Sequence, residues 1–115
     1  MSKIDSIEVK LQKQGDATVL SPVGDIDLSR ASSFRQQIVS ALTSKPRLLL
    51  IDLAGVPYMD SSGVATLLEM MQATKRGGGK LVLCSIQPKV RSIFEIARLE
   101  TVFTIVANAD DALKS

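Results

Sequence analysis

Apolar residues in this chain recur with two different periods, and the switches between them mark out the elements. Ile7, Val9 and Leu11 alternate with polar neighbours, the period of a half-buried strand. Gly15-Asp16 then predicts a turn and Ala17 to Val23 a second strand, so the pair is expected to form an antiparallel hairpin. Gly24-Asp25-Ile26-Asp27 interrupts the pattern. From Ser29, read as an N-cap, the period becomes helical, with Ala31, Phe34, Ile38 and Leu42 on the inner face and Pro46 closing the segment. Leu48 to Leu53 is apolar except for Asp52, as expected of a central strand covered on both faces.

A second helix is predicted from near Ser62 to about Arg76, with Val64, Leu67, Leu68 and Met71 in its buried stripe and Met70 facing outward. Gly77-Gly78-Gly79 stops it. Leu81 to Cys84 reads as a short buried strand. Pro88 suits the first position of a third helix, which turns Val90, Ile93, Phe94 and Ala97 inward. Val102 to Val106 forms a last strand, and Asp110 to Leu113 adds a helical turn. The order β-β-α-β-α-β-α-β-α predicts an α/β fold with about four helices. Its sheet should be mixed but mostly parallel, opened by the antiparallel hairpin. No internal repeat or linker appears, so residues 1–115 read as a single domain.

Composition narrows the function classes. Aromatic residues make up 3% of the chain, so the core must be aliphatic. A net charge of +2, from 14 basic and 12 acidic residues, gives no basic patch interleaved with stacking aromatics and argues against nucleic acid as a partner. The one cysteine, Cys84, cannot form an internal disulfide and lies in the apolar run Leu81-Val82-Leu83, which reads as a buried thiol in a reducing compartment. No apolar stretch approaches the ~18 residues of a membrane span, and Met1 to Asp5 carry no signal-peptide core. A cytoplasmic protein without membrane insertion is expected.

The chemistry concentrates at Asp60-Ser61-Ser62-Gly63, where the loop after a buried strand becomes the first turn of a helix. Free backbone N–H groups gather there and the helix dipole favours negative charge. The chain has no histidine to turn a serine into a nucleophile, so a hydroxyl at this place is suited to receiving a group rather than transferring one. No metal-ligand cluster and no cofactor motif is present, and an enzyme is not expected. Gly77-Gly78-Gly79 lacks the Lys-Ser/Thr of a P-loop and ends a helix instead of opening one. Lys75, Arg76 and Lys80 suit a helix C-terminus and a solvated rim. Plainer roles remain open: Ser61 and Ser62 can serve as helix caps, Asp60 as the N-cap itself, and Asp25 and Asp27 as turn formers.

Four segments in register resemble the anti-sigma factor antagonists, the single-domain bacterial members of the STAS (sulphate transporter and anti-sigma factor antagonist) superfamily. They are Gly24-Asp25-Ile26-Asp27, Asp52-Leu53 through Met59-Asp60-Ser61-Ser62-Gly63, Gly78-Gly79-Lys80-Leu81-Val82-Leu83-Cys84, and Pro88-Lys89-Val90-Arg91-Ser92-Ile93-Phe94. One departure follows the third helix, where the family's Gly-Leu is here Arg98-Leu99, and arginine accepts a left-handed conformation less readily than glycine. The resemblance implies a partner switch. The unphosphorylated form binds an anti-sigma factor that is also a serine kinase and so releases the sigma factor. Phosphorylation of Ser62 ends the binding, and a serine phosphatase resets it. Asp25, Asp27, Asp60, Ser61, Ser62 and Gly63 are then the implied partner-binding residues, with Asp27 beside Ser62 at one end of the sheet. An alternative within the same superfamily is an accessory subunit of a lipid ABC transporter. The stress-sensing members, which carry an extra N-terminal sensing domain, fit these 115 residues less well.

Overall fold

The computed structural model of the chain describes residues 6–114; Met1 to Asp5, read above for a signal sequence, lie outside them. Among the described residues, five strands and four helices follow in the order the periodicity predicts: β1 (Glu8–Gln14), β2 (Ala17–Val23), α1 (Leu28–Leu42), β3 (Leu48–Asp52), α2 (Ser61–Arg76), β4 (Lys80–Cys84), α3 (Pro88–Ile96), β5 (Thr104–Val106) and α4 (Ala109–Lys114). β1 and β2 pair antiparallel from Glu8↔Val23 to Gln14↔Ala17, and Gly15 turns the hairpin at φ +63°. β2 to β5 are parallel, and the order across the sheet is the order along the chain.

That simple order decides where the helices lie. Crossovers of one hand that always advance in the same direction stack their helices on the same face. Phe34 and Ile38 of α1, Leu67 and Met70 of α2, and Val90 and Phe94 of α3 share one core with Leu20, Leu49, Ile51, Leu81 and Leu83. The pleat sends alternate residues the other way, where Ala17, Val19, Leu48, Leu50, Val82 and Cys84 meet Ala112 of the short α4. β3 is thus covered on both faces. Phe94 and Phe103 supply the one aromatic pair among the described residues, edge to face at 5.4 Å between ring centroids. No helix among the described residues is long and apolar enough to cross a membrane.

Several local readings need correction. The N-cap of α1 is Asp27, not Ser29: Asp27 is extended (φ −111°, ψ −175°) and its carboxylate accepts from the Arg30 amide, while the Ser29 hydroxyl donates to that carboxylate. In α2 the methionines are exchanged, with Met70 buried and Met71 only partly so. The buried stripe runs Gly63, Leu67, Met70, Thr74, and two of those residues carry no hydropathy signal. Thr74 enters the core because its hydroxyl donates to the Met70 carbonyl at 2.7 Å. Ala97 is an exposed C-cap rather than a core position, because α3 ends at Ile96. Val102 is exposed in a turn closed by its amide on the Leu99 carbonyl, so β5 starts only at Thr104.

Of the three helices that end where the next parallel strand begins, α2 and α3 use one and the same terminator. After α2, the Gly78 amide donates to Lys75 O and the Gly79 amide to Thr74 O, both at 3.0 Å, with Gly78 at φ +88°. After α3, the Arg98 amide donates to Glu95 O at 3.0 Å and the Leu99 amide to Phe94 O at 2.8 Å. Arg98 takes the left-handed place itself, at φ +58°. The missing glycine has not altered the helix exit; it has left a strained residue there. Left-handed geometry costs a side-chain-bearing residue about 1–2 kcal/mol, and part of that is returned by the smaller entropy of its unfolded state. Arg98→Gly is therefore expected to raise stability by about 0.5–1 kcal/mol in urea unfolding, with an unchanged fold by circular dichroism.

Candidate functional site

The site begins with an extension of the parallel ladder beyond the strands. Past the end of the β2–β3 pairing, the Gly24 amide donates to Gly55 O at 2.9 Å and the Ile26 amide to Tyr58 O at 3.0 Å. The Asp60 amide then donates back to Ile26 O at 3.2 Å, and Ile26 and Met59 form a parallel bridge. Two loops that look separate in sequence are thereby laced together, and the first turns of α1 and α2 emerge side by side.

Gly63 holds the second of these turns down. It is buried, and a Cβ there would meet Met59 Cγ at 2.6 Å, Ile26 Cγ2 at 2.9 Å and Ile26 O at 3.1 Å. The glycine of Asp-Ser-Ser-Gly is thus a close-approach residue, with no surface of its own to offer. Its backbone fixes the rotation of α2 and so the aim of the two serines.

Asp60 caps α2 from extended backbone (φ −103°, ψ −173°). Its Oδ1 accepts from the Ser62 amide at 2.9 Å, from the Gly63 amide at 3.4 Å, and from the Ser62 hydroxyl in a short contact. Its Oδ2 reaches across to the Leu28 amide at 3.1 Å, the first residue of α1. One carboxylate therefore serves the N-termini of both helices. The Ser62 hydroxyl, followed by the Ser62, Gly63 and Leu28 amides, holds Asp60 below the usual carboxylate range against its partial burial. Asp27 is lowered in the same way, chiefly by the Ser29 hydroxyl and then by the Arg30 amide and charge. Arg30 adds an ion pair at 3.5 Å.

The predicted residues thus gather at the end of the sheet where the parallel strands finish. Asp27 and Asp60 are adjacent N-caps joined through Leu28, Asp25 is exposed on the loop from β2 to α1 that ends in Asp27, Ser61 is exposed, and Ser62 is half-buried with its hydroxyl engaged. What the sequence reading missed is apolar. Leu28 is 78% exposed and Tyr58 47% exposed, flanking Asp27 and Asp60 in the chain. The signal for Leu28 was available: it is a large apolar residue at the start of α1 but out of phase with the buried Phe34, Ile38 and Ala41.

Chemically, this is a hydroxyl presented at a helix N-terminus beside an ionised carboxylate. Such a place tolerates added negative charge on the hydroxyl. The sequence holds no histidine to act as a base on either serine, and its one thiol, Cys84, is buried on the α4 side of the sheet and pushed up to about 11 by burial and the Asp52 charge.

The STAS domain model matches residues 8–112, and the chain belongs to the STAS domain family. Among its curated relatives, the chain is 29% identical to the anti-sigma-F factor antagonist RsfB of Mycobacterium tuberculosis over 116 residues, covering 98% of this chain and 92% of that one. It is 28% identical over 109 residues to the anti-sigma-B factor antagonist of Bacillus subtilis, covering 95% and 97%. Among solved structures, an anti-sigma factor antagonist from Mycobacterium paratuberculosis superimposes with a TM-score of 0.86 at 26% identity, over 99% of this chain and 97% of that one.

Two expectations follow from the geometry. Gly63→Ala should destabilise by about 1–3 kcal/mol in urea unfolding, opposite in sign to the usual gain from alanine inside a helix. The acid limb of stability should report the two caps. A lowered folded pKa contributes stability that is complete above the ordinary carboxylate value of 3.8 and is lost as pH falls through the folded value. Thermal unfolding between about pH 4 and pH 2 should therefore steepen in the unaltered chain, and flatten when Asp60→Asn and Asp27→Asn are combined.

Proposed function

We propose that this protein is a cytoplasmic anti-sigma factor antagonist, a binding regulator rather than an enzyme, and that Ser62 is its phosphoacceptor. The observation that carries the reading is the Ser62 hydroxyl, held by Asp60 at the N-terminus of α2 within a STAS chain whose relatives are named as anti-sigma factor antagonists. The unmodified form binds an anti-sigma factor that is also a serine kinase and so frees a sigma factor. Transfer of a phosphoryl group to Ser62 ends the binding, and a serine phosphatase restores it.

The physics of the switch follows from the place of the group. A phosphoserine adds about −1.5 to −2 charges and three acceptor oxygens. At an exposed helix N-terminus that charge is favoured by ~0.3–1 kcal/mol, so α2 is not expected to melt. Asp27 and Asp60 oppose it by repulsion of similar size. The decisive effect lies at the interface, where a charge buried without a partner is worth several kcal/mol. Asp25, Asp27, Asp60 and the two serines form the polar part of that interface, over the fixed turn at Gly63.

Capture from the native lysate with Ser62→Ala and Ser62→Asp baits, read by mass spectrometry, tests this. The alanine bait should retain an ATP-binding serine kinase and the aspartate bait should lose it. Retention of one partner by both baits, above all a transporter ATPase, would replace this account with that of a lipid ABC transporter subunit.

A further inference from the structure

Ser62 and the start of α1 are more than neighbours. They share a carboxylate, with the Ser62 hydroxyl donating to Asp60 Oδ1 and the Leu28 amide donating to Oδ2 at 3.1 Å. Leu28 carries the most exposed large apolar side chain at this end of the molecule, 78% accessible, and its amide is one of the first N–H groups of α1, which lack partners within their own helix. The donors to Asp27 come from its own helix: the Ser29 hydroxyl and the Arg30 amide bind it and do not reach across to α2.

We infer that Asp60 is a relay between the modification state of Ser62 and the position of Leu28. The inference rests on Ser62 being the phosphoacceptor. In the transfer, the Ser62 Oγ–P bond forms as the bond from that phosphorus to the bridging oxygen of a nucleoside triphosphate breaks. The nucleoside diphosphate leaves with that oxygen, and the hydroxyl proton goes to solvent. Asp60 then loses a donor that was in short contact with it and gains a near-dianion in its place. The phosphate oxygens compete for the Ser62 and Gly63 amides, which point from the helix N-terminus. Repelled on one oxygen and displaced from its amides, the carboxylate turns away and gives up the Leu28 amide. Leu28 moves with it, and an apolar contact point of the partner surface changes together with the charge. The core beneath is untouched, because Gly63 still pins the turn to Ile26 and Met59.

The experiment needs no kinase. The full chain is made with phosphoserine genetically encoded at position 62, and the Leu28 amide is followed by 15N NMR. In the phosphorylated chain that amide should shift upfield and exchange with solvent about fivefold faster, the factor expected for one lost hydrogen bond, while the Leu50 and Leu83 amides stay unchanged. Asp60→Asn in the phosphorylated chain should restore slow exchange, since the amide group can donate to the phosphate while its oxygen keeps Leu28. An unchanged Leu28 amide in the phosphorylated chain, or equal release with and without Asp60→Asn, overturns the relay. Neither result bears on the capture experiment, whose failure would remove Ser62 as the switch whatever Leu28 does.

Discussion

The first turn of α2 lies so close to the bridge between Ile26 and Met59 that only glycine fits at position 63. Much of the rest depends on that approach. It sets the rotation of α2, which sends Leu67, Met70 and Thr74 into the core and leaves Ser61 in solvent. It brings Asp60 into reach of its own helix and of α1 at once. A helix seated an ångström higher would keep the same elements and lose the shared cap. A backbone constraint, more than any charged group, makes the hydroxyl of Ser62 stand where it does.

The sheet order supplies the frame for this contact. Because neighbours in sequence are neighbours in space, α1 and α2 follow adjacent parallel strands and start at the same end. Two helix N-termini then compete for acceptors within one small region. Asp27 and Asp60 resolve the competition, each from extended backbone just before its helix. The Arg35–Glu69 pair, bidentate at 2.8–3.0 Å, ties the same two helices further down their exposed faces.

The element order was legible because strand and helix periods differ and turn residues separate them, and the helical stop at Gly77-Gly78-Gly79 was legible for the same reason. The candidate site was legible as a motif at a loop–helix boundary. What escaped were matters of phase. Ser29 looked like a cap because hydroxyls before an apolar stripe usually are, but Leu28 is helical and off the stripe, so the cap moved back to Asp27. Met70 and Met71 were exchanged because Gly63 and Thr74, the two ends of the buried row, do not register as apolar. Ala97 and Val102 were misplaced because the α3 exit is set by backbone hydrogen bonds that hydropathy does not encode. The lacing of the two loops could not be read locally at all, since Gly24 and Gly55 lie 31 positions apart.

The shared helix terminators on the opposite edge carry a consequence for how the protein meets other molecules. Lys75, Arg76 and Lys80 cluster around the α2 exit, whereas Asp25, Asp27 and Asp60 sit around the helix starts, softened by Arg30 on Asp27 and by Lys89 and Arg91 at the start of α3. A net charge of +2 hides this separation. In the field of a charged partner the molecule experiences a torque before it experiences contact, over distances of about 10 Å at 0.1 M salt. Diffusional encounters with a basic surface are thereby biased toward the end that bears Ser62, and added salt weakens that bias.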